Sequence, residues 1–300
     1  MIELDEANTD SVTIAVCTFR RDDLFDCMNS LRALNEADRY AVSVVVVDND
    51  LTNKLQTRVE LLAEDLDFPL TYVHAPEKNI SVARNAALKA ADTRWILFID
   101  DDEIADPNWL NFIMQARKGA VAVIGTCETT YAPEYPAWLS RCDFHSNRPK
   151  AKVENAYTSN ALLDMNFIRK HGLEFRLDLG RTGGEDTVFF RQIHELGGVI
   201  KACPEAVVYE PLTPQRASME WVKIRKYRAG QTHGLLCREF DPKTYMRLPI
   251  TASIKTGISA LMWILSIPGT DRARKWQARY HLHKGVLAYR FRQEILEEYS

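Results

Sequence analysis

Four consecutive acids, Asp100-Asp101-Asp102-Glu103, follow directly on the apolar run Trp95–Ile99. The run reads as a buried strand, and alternation along a chain that stays extended puts Asp100 and Asp102 on one side and Asp101 on the other. Two same-side carboxylates at an exposed strand end suit Mg²⁺ or Mn²⁺, hard ions that keep open positions for phosphate oxygens. The competing reading is a solvated acidic turn, but four adjacent acids repel one another and a metal relieves that repulsion. A second acidic pair, Glu185-Asp186, opens a helix after Gly183 and Gly184. There an Asp can act as an N-cap. It can equally be a carboxylate that the helix N-terminus keeps ionised, as a general base must be.

The elements that must hold these groups alternate in period. Val12–Phe19 reads as a strand, with helical spacing from Leu24 to Leu34 after it and Asp22 or Asp23 placed to cap. Val42–Val47 is a strand of nearly pure valine, as expected where both faces are covered. A helix over Lys54–Leu66, a strand at Leu70–His74, an alanine-rich helix over Ser81–Ala91 and the strand Trp95–Ile99 complete the first half. Such alternation implies right-handed crossovers and a doubly wound, mostly parallel sheet. These sheets bind ligands at the carboxyl ends of their strands. Thr18, Arg20, Asp48-Asn49-Asp50 and the acidic cluster all fall at such ends.

Beyond Asp106-Pro107 the sequence predicts a helix to Lys118, a strand at Val121–Ile124, and an irregular surface excursion over 127–156 rich in Pro, Tyr and Trp. Ala161–His171 reads as a strand passing into a helix, Thr187–Leu196 as a helix closed by Gly197-Gly198, and Val199–Tyr209 as a strand. Neither GxGxxG after the first strand nor GxxxxGK[ST] is present, which argues against a dinucleotide dehydrogenase and a P-loop nucleotidase. Six cysteines without CxxC spacing point to a reduced, cytoplasmic chain. Met1–Glu6 is acidic where a signal peptide is basic and then apolar, so no secretion is implied.

Five stretches occur in a telling order: Val12–Arg21, Val45–Asp50, Ser81–Ala87, Trp95–Glu103 and Gly183–Asp186. Together they resemble family 2 glycosyltransferases of the GT-A fold, most of all bacterial exopolysaccharide enzymes of the succinoglycan glucosyltransferase type. The likeness spans about residues 10–235. It implies an α/β GT-A catalytic domain over 1–212, with a nucleotide-binding half to about 103, an acceptor half over 104–212, and a helical C-terminal extension over 213–300. It also implies roles. Asp102 would be the direct ligand of Mn²⁺ or Mg²⁺, with Asp100 nearer the ribose and Asp101 between them in the nucleotide-sugar site. Asp48 would bond the donor base, Thr18, Arg20 and Asp50 would line the nucleotide pocket, and Arg84 would face the diphosphate. Asp186 would be the base that deprotonates the acceptor, with Glu185 beside it. Relatives often supply a late metal-binding His; here Tyr209-Glu210-Pro211 stands near that place, so either Glu210 would substitute or the site would have one ligand fewer. The QxxRW motif of processive synthases is absent, which favours a single transfer per acceptor.

The implied activity is inverting, metal-dependent transfer from a nucleotide-sugar, UDP-linked in the expected case, to a saccharide or lipid-linked saccharide of a bacterial surface polysaccharide. Specificity for both is expected in the 127–156 segment. A nucleotidyltransferase would need an activating Lys and a Gly-rich loop near the first strand, and neither is visible. A sugar-nucleotide-binding assembly protein without turnover is the non-enzymatic alternative, against which the intact Asp102 and Asp186 argue.

Charge is unevenly spread. Residues 213–300 carry 16 Lys+Arg and 7 Asp+Glu, a net of +9, against −12 for residues 1–212. With no nucleic-acid motif, nucleic acid is a poor partner for this basic tail. Cations flanking the apolar Pro249–Pro268 segment, which carries Trp263, fit an interfacial anchor at the inner face of the cell membrane. The steps through Ile250, Ile254, Ile258, Leu261 and Leu265 fit equally a helix packed into the core or an oligomer interface.

Overall fold

The computed structural model describes residues 11–64, 66–150, 153–154 and 156–291. Met1–Glu6 and residues 292–300 of the tail, on which expectations above bear, lie outside the described residues. One eight-stranded sheet runs in the order β3-β2-β1-β4-β7-β6-β8-β5. Its first half is parallel: β3 (Leu70–His74), β2 (Ala41–Asp48), β1 (Ser11–Thr18) and β4 (Trp95–Asp100). The short β7 (Ala161–Asp164) is antiparallel between β4 and β6 (Ala122–Thr130), and β8 (Ile200–Pro211) returns parallel to β6. The two-residue β5 (Ile104–Ala105) closes the far edge, antiparallel to β8. This is the α/β, mostly parallel doubly wound sheet that the alternating periods imply.

Helices cover both faces, and the valine run shows why. Val44 and Val46 enter one core with Leu24, Met28 and Leu31 of α1 (Leu24–Arg32) and Trp109 and Ile113 of α4 (Trp109–Ala116). Val45 and Val47 enter the other, with Ala83 and Ala87 of α3 (Ile80–Ala90) and Phe189 and Ile193 of α7 (Glu185–Glu195). A strand buried on both faces has no polar side to show, and each fully buried Val or Leu contributes ~1.5–3 kcal/mol. The register brings the ends level: Thr18 stands opposite Asp48, and Cys17 opposite Asp100. All the polar strand ends therefore open on one edge.

Several boundaries differ from those expected. The second helix, α2, is shorter, Gln56–Ala63. The fourth starts at Trp109 rather than at Pro107, and Asp23 precedes α1 without a side-chain cap bond, while Asp22 pairs with Arg58 at 2.6 Å. The 127–156 segment is more ordered than its composition suggests, since β6 continues to Thr130 and a short α5 spans Trp138–Cys142. Ala161–His171 divides as read, into β7 and α6 (Met165–His171). The six cysteines are free.

Among the described residues the C-terminal region is three helices: α8 (Met219–Phe240), α9 (Pro242–Ile264) and α10 (Asp271–Arg290). Ser218, Asp241 and Thr270 each cap the next helix through the side chain. Glycines let α8 and α10 meet backbone to backbone: a Cβ on Gly285 would stand 1.9 Å from the Tyr227 carbonyl oxygen, and one on Gly230 2.0 Å from that of Leu282. The bundle is seated on the α/β body by Leu235 and Tyr289, which pack with Leu179 and Val188, and by the Arg141–Asp271 ion pair at 2.6 Å. Packing of Ile250, Ile254, Ile258, Leu261 and Leu265 into the core is not observed, because all five are exposed. Trp263 is turned the other way, against Tyr280.

Candidate active site

At the ends of β1 and β2 four of the expected residues meet. Thr18 and Asp48 are buried, and Asp48 accepts hydrogen bonds from the Asp50 amide (2.9 Å) and the Tyr72 hydroxyl (2.8 Å). Arg20, in the left-handed region at φ 56°, reaches across to Asp50 at 2.8 Å. That guanidinium holds the Asp50 carboxyl down to about 2. Asn49, between the two acids, donates to the Ala75 carbonyl and accepts from the Asn79 amide at 2.6 Å each. It thus ties β2, β3 and the start of α3 together, and Asn79 in turn caps α3. The result is a rigid polar ledge.

The acidic cluster departs from simple alternation because the strand stops at Asp100 and the chain turns. Asp101 goes inward, accepting from the Thr18 hydroxyl at 2.7 Å and from Arg21 at 3.1 Å. Burial lifts its carboxyl to about 7, with Arg21 opposing. Glu103 is also buried and accepts the Asp100 amide at 2.9 Å; burial and the neighbouring Asp100 push it well above the usual carboxylate range. Asp100 lines the cleft, raised to about 6 by burial against the pull of Arg84, with Asp102 and Glu210 repelling it further. Asp102 pairs with Arg21 and, at 3.6 Å, with Arg216, which also pairs with Glu210. The two carboxylates read as metal ligands are therefore brought together, with one guanidinium between them.

Among the described residues no group of three or more His, Cys, Asp or Glu side chains is gathered for a metal. Two carboxylates that share a cation nevertheless fit Mg²⁺ or Mn²⁺ when phosphate oxygens and water complete the shell. Arg216 is the observed stand-in.

Across the cleft stands the start of α7. Its N-cap is Gly184, at φ 93°, so Asp186 is not the cap; its Oδ1 accepts from the Thr187 amide at 2.6 Å and Asp186 lines the cleft. A side chain on Gly184 would collide with Thr232 of α8. Glu185 is buried and ion-paired with Arg84, which is itself buried beneath the Phe175 ring. Arg84 is thus neither an exposed surface cation nor a free arm, but a bridge between α3 and α7 that borders the cleft.

The cleft holds about 440 Å³ and is predominantly polar. Sequence reasoning missed much of its wall. Arg21 and Arg216 were invisible as partners because ion pairing across 80 or more residues leaves no local pattern. Arg225, Arg228 and Thr232 come from α8, and Arg228 bonds the Thr182 carbonyl at 2.9 Å. The 127–156 segment contributes Phe144 and His145, the latter stacked on Trp221 at 4.8 Å. Burial lowers the His145 pKa, and the ring, stacked on Trp221, is itself buried. The aromatic richness of that segment pointed to it in the sequence, but not to Phe144 and His145 in particular.

Comparisons with known proteins bear on the family and the fold. The family model for glycosyl transferase family 2 matches residues 13–172. The succinoglycan biosynthesis protein ExoM of Rhizobium meliloti is 37% identical over 295 residues, covering 96% of each chain. A glucosyl-dolichyl phosphate glucuronosyltransferase of Haloferax volcanii is 24% identical, covering 73% of this chain and 75% of the other. Among solved structures, the mannosyltransferase PcManGT of Pyrobaculum calidifontis, in complex with GDP-Man and Mn²⁺, superposes with a TM-score of 0.63 at 19% identity. That match covers 94% of this chain and 88% of the other. S. aureus TarS 1–349 in complex with UDP-GlcNAc gives 0.54 at 14% identity, over 95% and 93%. At these identities the structural matches speak to the fold.

Proposed function

The chain belongs to glycosyl transferase family 2, and from that premise we propose that it is an inverting transferase moving a sugar from a nucleoside diphosphate, UDP in the first instance, to a saccharide or lipid-linked saccharide. The observation that carries this reading is the pairing of Asp102 and Glu210 on one cation, with Asp186 lining the same cleft. Relatives support its parts separately: one is named for succinoglycan biosynthesis, and structural neighbours were solved with UDP-GlcNAc or with GDP-Man and Mn²⁺.

In this reading the base and ribose lie on the ledge of Thr18, Arg20, Asp48 and Asp50, with Asp100 and Asp101 beneath the ribose. Asp102 and Glu210 would hold Mn²⁺ or Mg²⁺, which supplies charge neutralisation at the departing diphosphate. Arg84, beside Asp100, adds positive charge to the same region. Asp186 takes the proton from the acceptor hydroxyl as its oxygen forms the new bond to the anomeric carbon. The bond from that carbon to the phosphate oxygen breaks with its electron pair leaving on the nucleoside diphosphate, and the configuration inverts. Alignment of acceptor, anomeric carbon and leaving oxygen is what the cleft provides, and such positioning carries much of the rate.

The test is calorimetry of UDP with the wild-type protein and Asp102→Ala, with and without Mn²⁺. Mn²⁺ should tighten binding in the first and not in the second. Affinity that is equal in all four cases removes the metal assignment.

A further inference from the structure

We propose that α9 is a docking surface for an anionic lipid bilayer, lying in the boundary between headgroups and acyl chains. Met246, Ile250, Ile254, Ile258, Leu261 and Leu265 are each 51–70% exposed, although every one is a large apolar side chain. At 100° per residue they fall within an arc of about 120° on one side of the helix. Leu248, Ala252 and Ser259 lie on the opposite side and are buried against the bundle. Isolated exposed apolar residues need no explanation, but a continuous stripe of six does. Ile264 and Ile267, also exposed, prolong it to the turn before α10.

Charge selects the occupant. From Pro242 to Thr270 there are three cations, Lys243, Arg247 and Lys255, and no acid. Lys243 and Arg247 share the side of the stripe, where long stems lie on apolar surface and the charged heads reach phosphates. Past the turn, Arg272, Lys275 and Arg279 follow at i, i+3 and i+7 and are exposed. Arg274 is not part of that row, because it is held over Trp138 and near Asp271. A second copy of this chain is a poorer occupant: a two-fold pairing sets these cations against themselves with no acid to answer them. A soluble acidic protein would satisfy the cations and leave the stripe to be matched separately. An anionic bilayer satisfies both at once. No helix among the described residues is long and apolar enough to cross a membrane, so the contact is along the surface. The body, at −12, is repelled by the same surface and is held away from it.

The proposal rests on the transferase reading only for its purpose, delivery of the cleft to a lipid-linked acceptor, and vesicle binding is read without turnover. The full chain is sedimented with vesicles of phosphatidylglycerol and phosphatidylcholine, and with phosphatidylcholine alone. Binding should be stronger by about tenfold or more on the anionic vesicles and should fall as salt is raised. Ile254→Glu with Leu261→Glu should reduce it by about tenfold or more, and Lys243→Gln with Arg247→Gln should weaken the preference for anionic lipid. All four positions are exposed, and circular dichroism checks that both variants fold as the parent does. Equal binding to neutral vesicles, or binding that the substitutions leave unchanged, overturns the proposal. So does a lipid-independent dimer in sedimentation velocity that Ile254→Glu with Leu261→Glu splits while the parent ignores vesicles.

Discussion

Asp186, which lines the cleft, and Asp101, buried behind it, show how differently two aspartates of one site can be employed. Asp186→Asn keeps the side-chain shape and can still accept the Thr187 amide, but cannot take a proton. Turnover should fall by about 10²-fold or more, the usual cost of losing a general base, with UDP affinity nearly unchanged. Parental turnover would leave Asp186 as a structural residue at the helix start. Asp101 is a stability residue by the same physical reasoning. Its folded pKa of about 7 lies above the unfolded value, so the native state holds a proton that the unfolded chain has released. Stability from this group is full below about pH 4 and is lost as pH rises toward about 7. Asp101→Asn cannot ionise, so urea midpoints measured from pH 4 to 7 should fall less steeply than those of the parent. An unchanged slope would show that Asp101 stays ionised beside Arg21. The acids of this site were legible in the sequence because they are contiguous and follow a strand. Their partners Arg21 and Arg216 were not, since a guanidinium six residues from Glu210 in sequence looks like any surface cation until the fold closes on it.

Elements with a strict local pattern were read closely, and those set by distant contacts were not. The strand at Leu70–His74 has the expected bounds, and the valines of β2 divide between two cores as a doubly covered strand requires. β4 runs to Asp100, one residue past the expected Trp95–Ile99, but alternation does not persist into the acids, because the chain turns there and Thr18 and Arg21 bond the Asp101 side chain. The tightness of α8 against α10 was equally hidden, for a glycine inside a helix reads first as a weakness. Gly285 sits where the Tyr227 carbonyl leaves no room for a methyl group. Gly285→Ala should therefore destabilise despite its better helix propensity, by about 1–3 kcal/mol as other overpacked sites do. A thermal melt decides it, and a variant as stable as the parent or more so would mean that the helices separate without cost.

At the scale of the whole molecule the basic extension and the acidic body are one structure, with α8 as the shared wall of the cleft. Leu179 and Val188 of the body are buried in part by Leu235 and Tyr289 of the tail. Arg176 on the body pairs with Glu239 at 2.7 Å, and Arg228 reaches back to the loop before α7. The start of α7, which holds Glu185 and Asp186, therefore rests on α8, through the contact of Gly184 with Thr232. A chain ended after Ala217 keeps every expected site residue, so a sequence view of the tail as an appendage predicts an active, stable fragment. Packing predicts the opposite. Uncovering Leu179 and Val188 alone costs about 1.5–3 kcal/mol each. At roughly 2–4 °C per kcal/mol for a domain of this size, the melting temperature should fall by on the order of 10 °C. Nucleotide binding should fall less than transfer, because the ledge of Thr18, Arg20, Asp48 and Asp50 is built without the tail, whereas the wall around Asp186 is not. Differential scanning calorimetry and UDP titration of the fragment measure the two effects separately. A fragment that melts with the parent and transfers sugar at the parental rate would show that α8 only leans on the body.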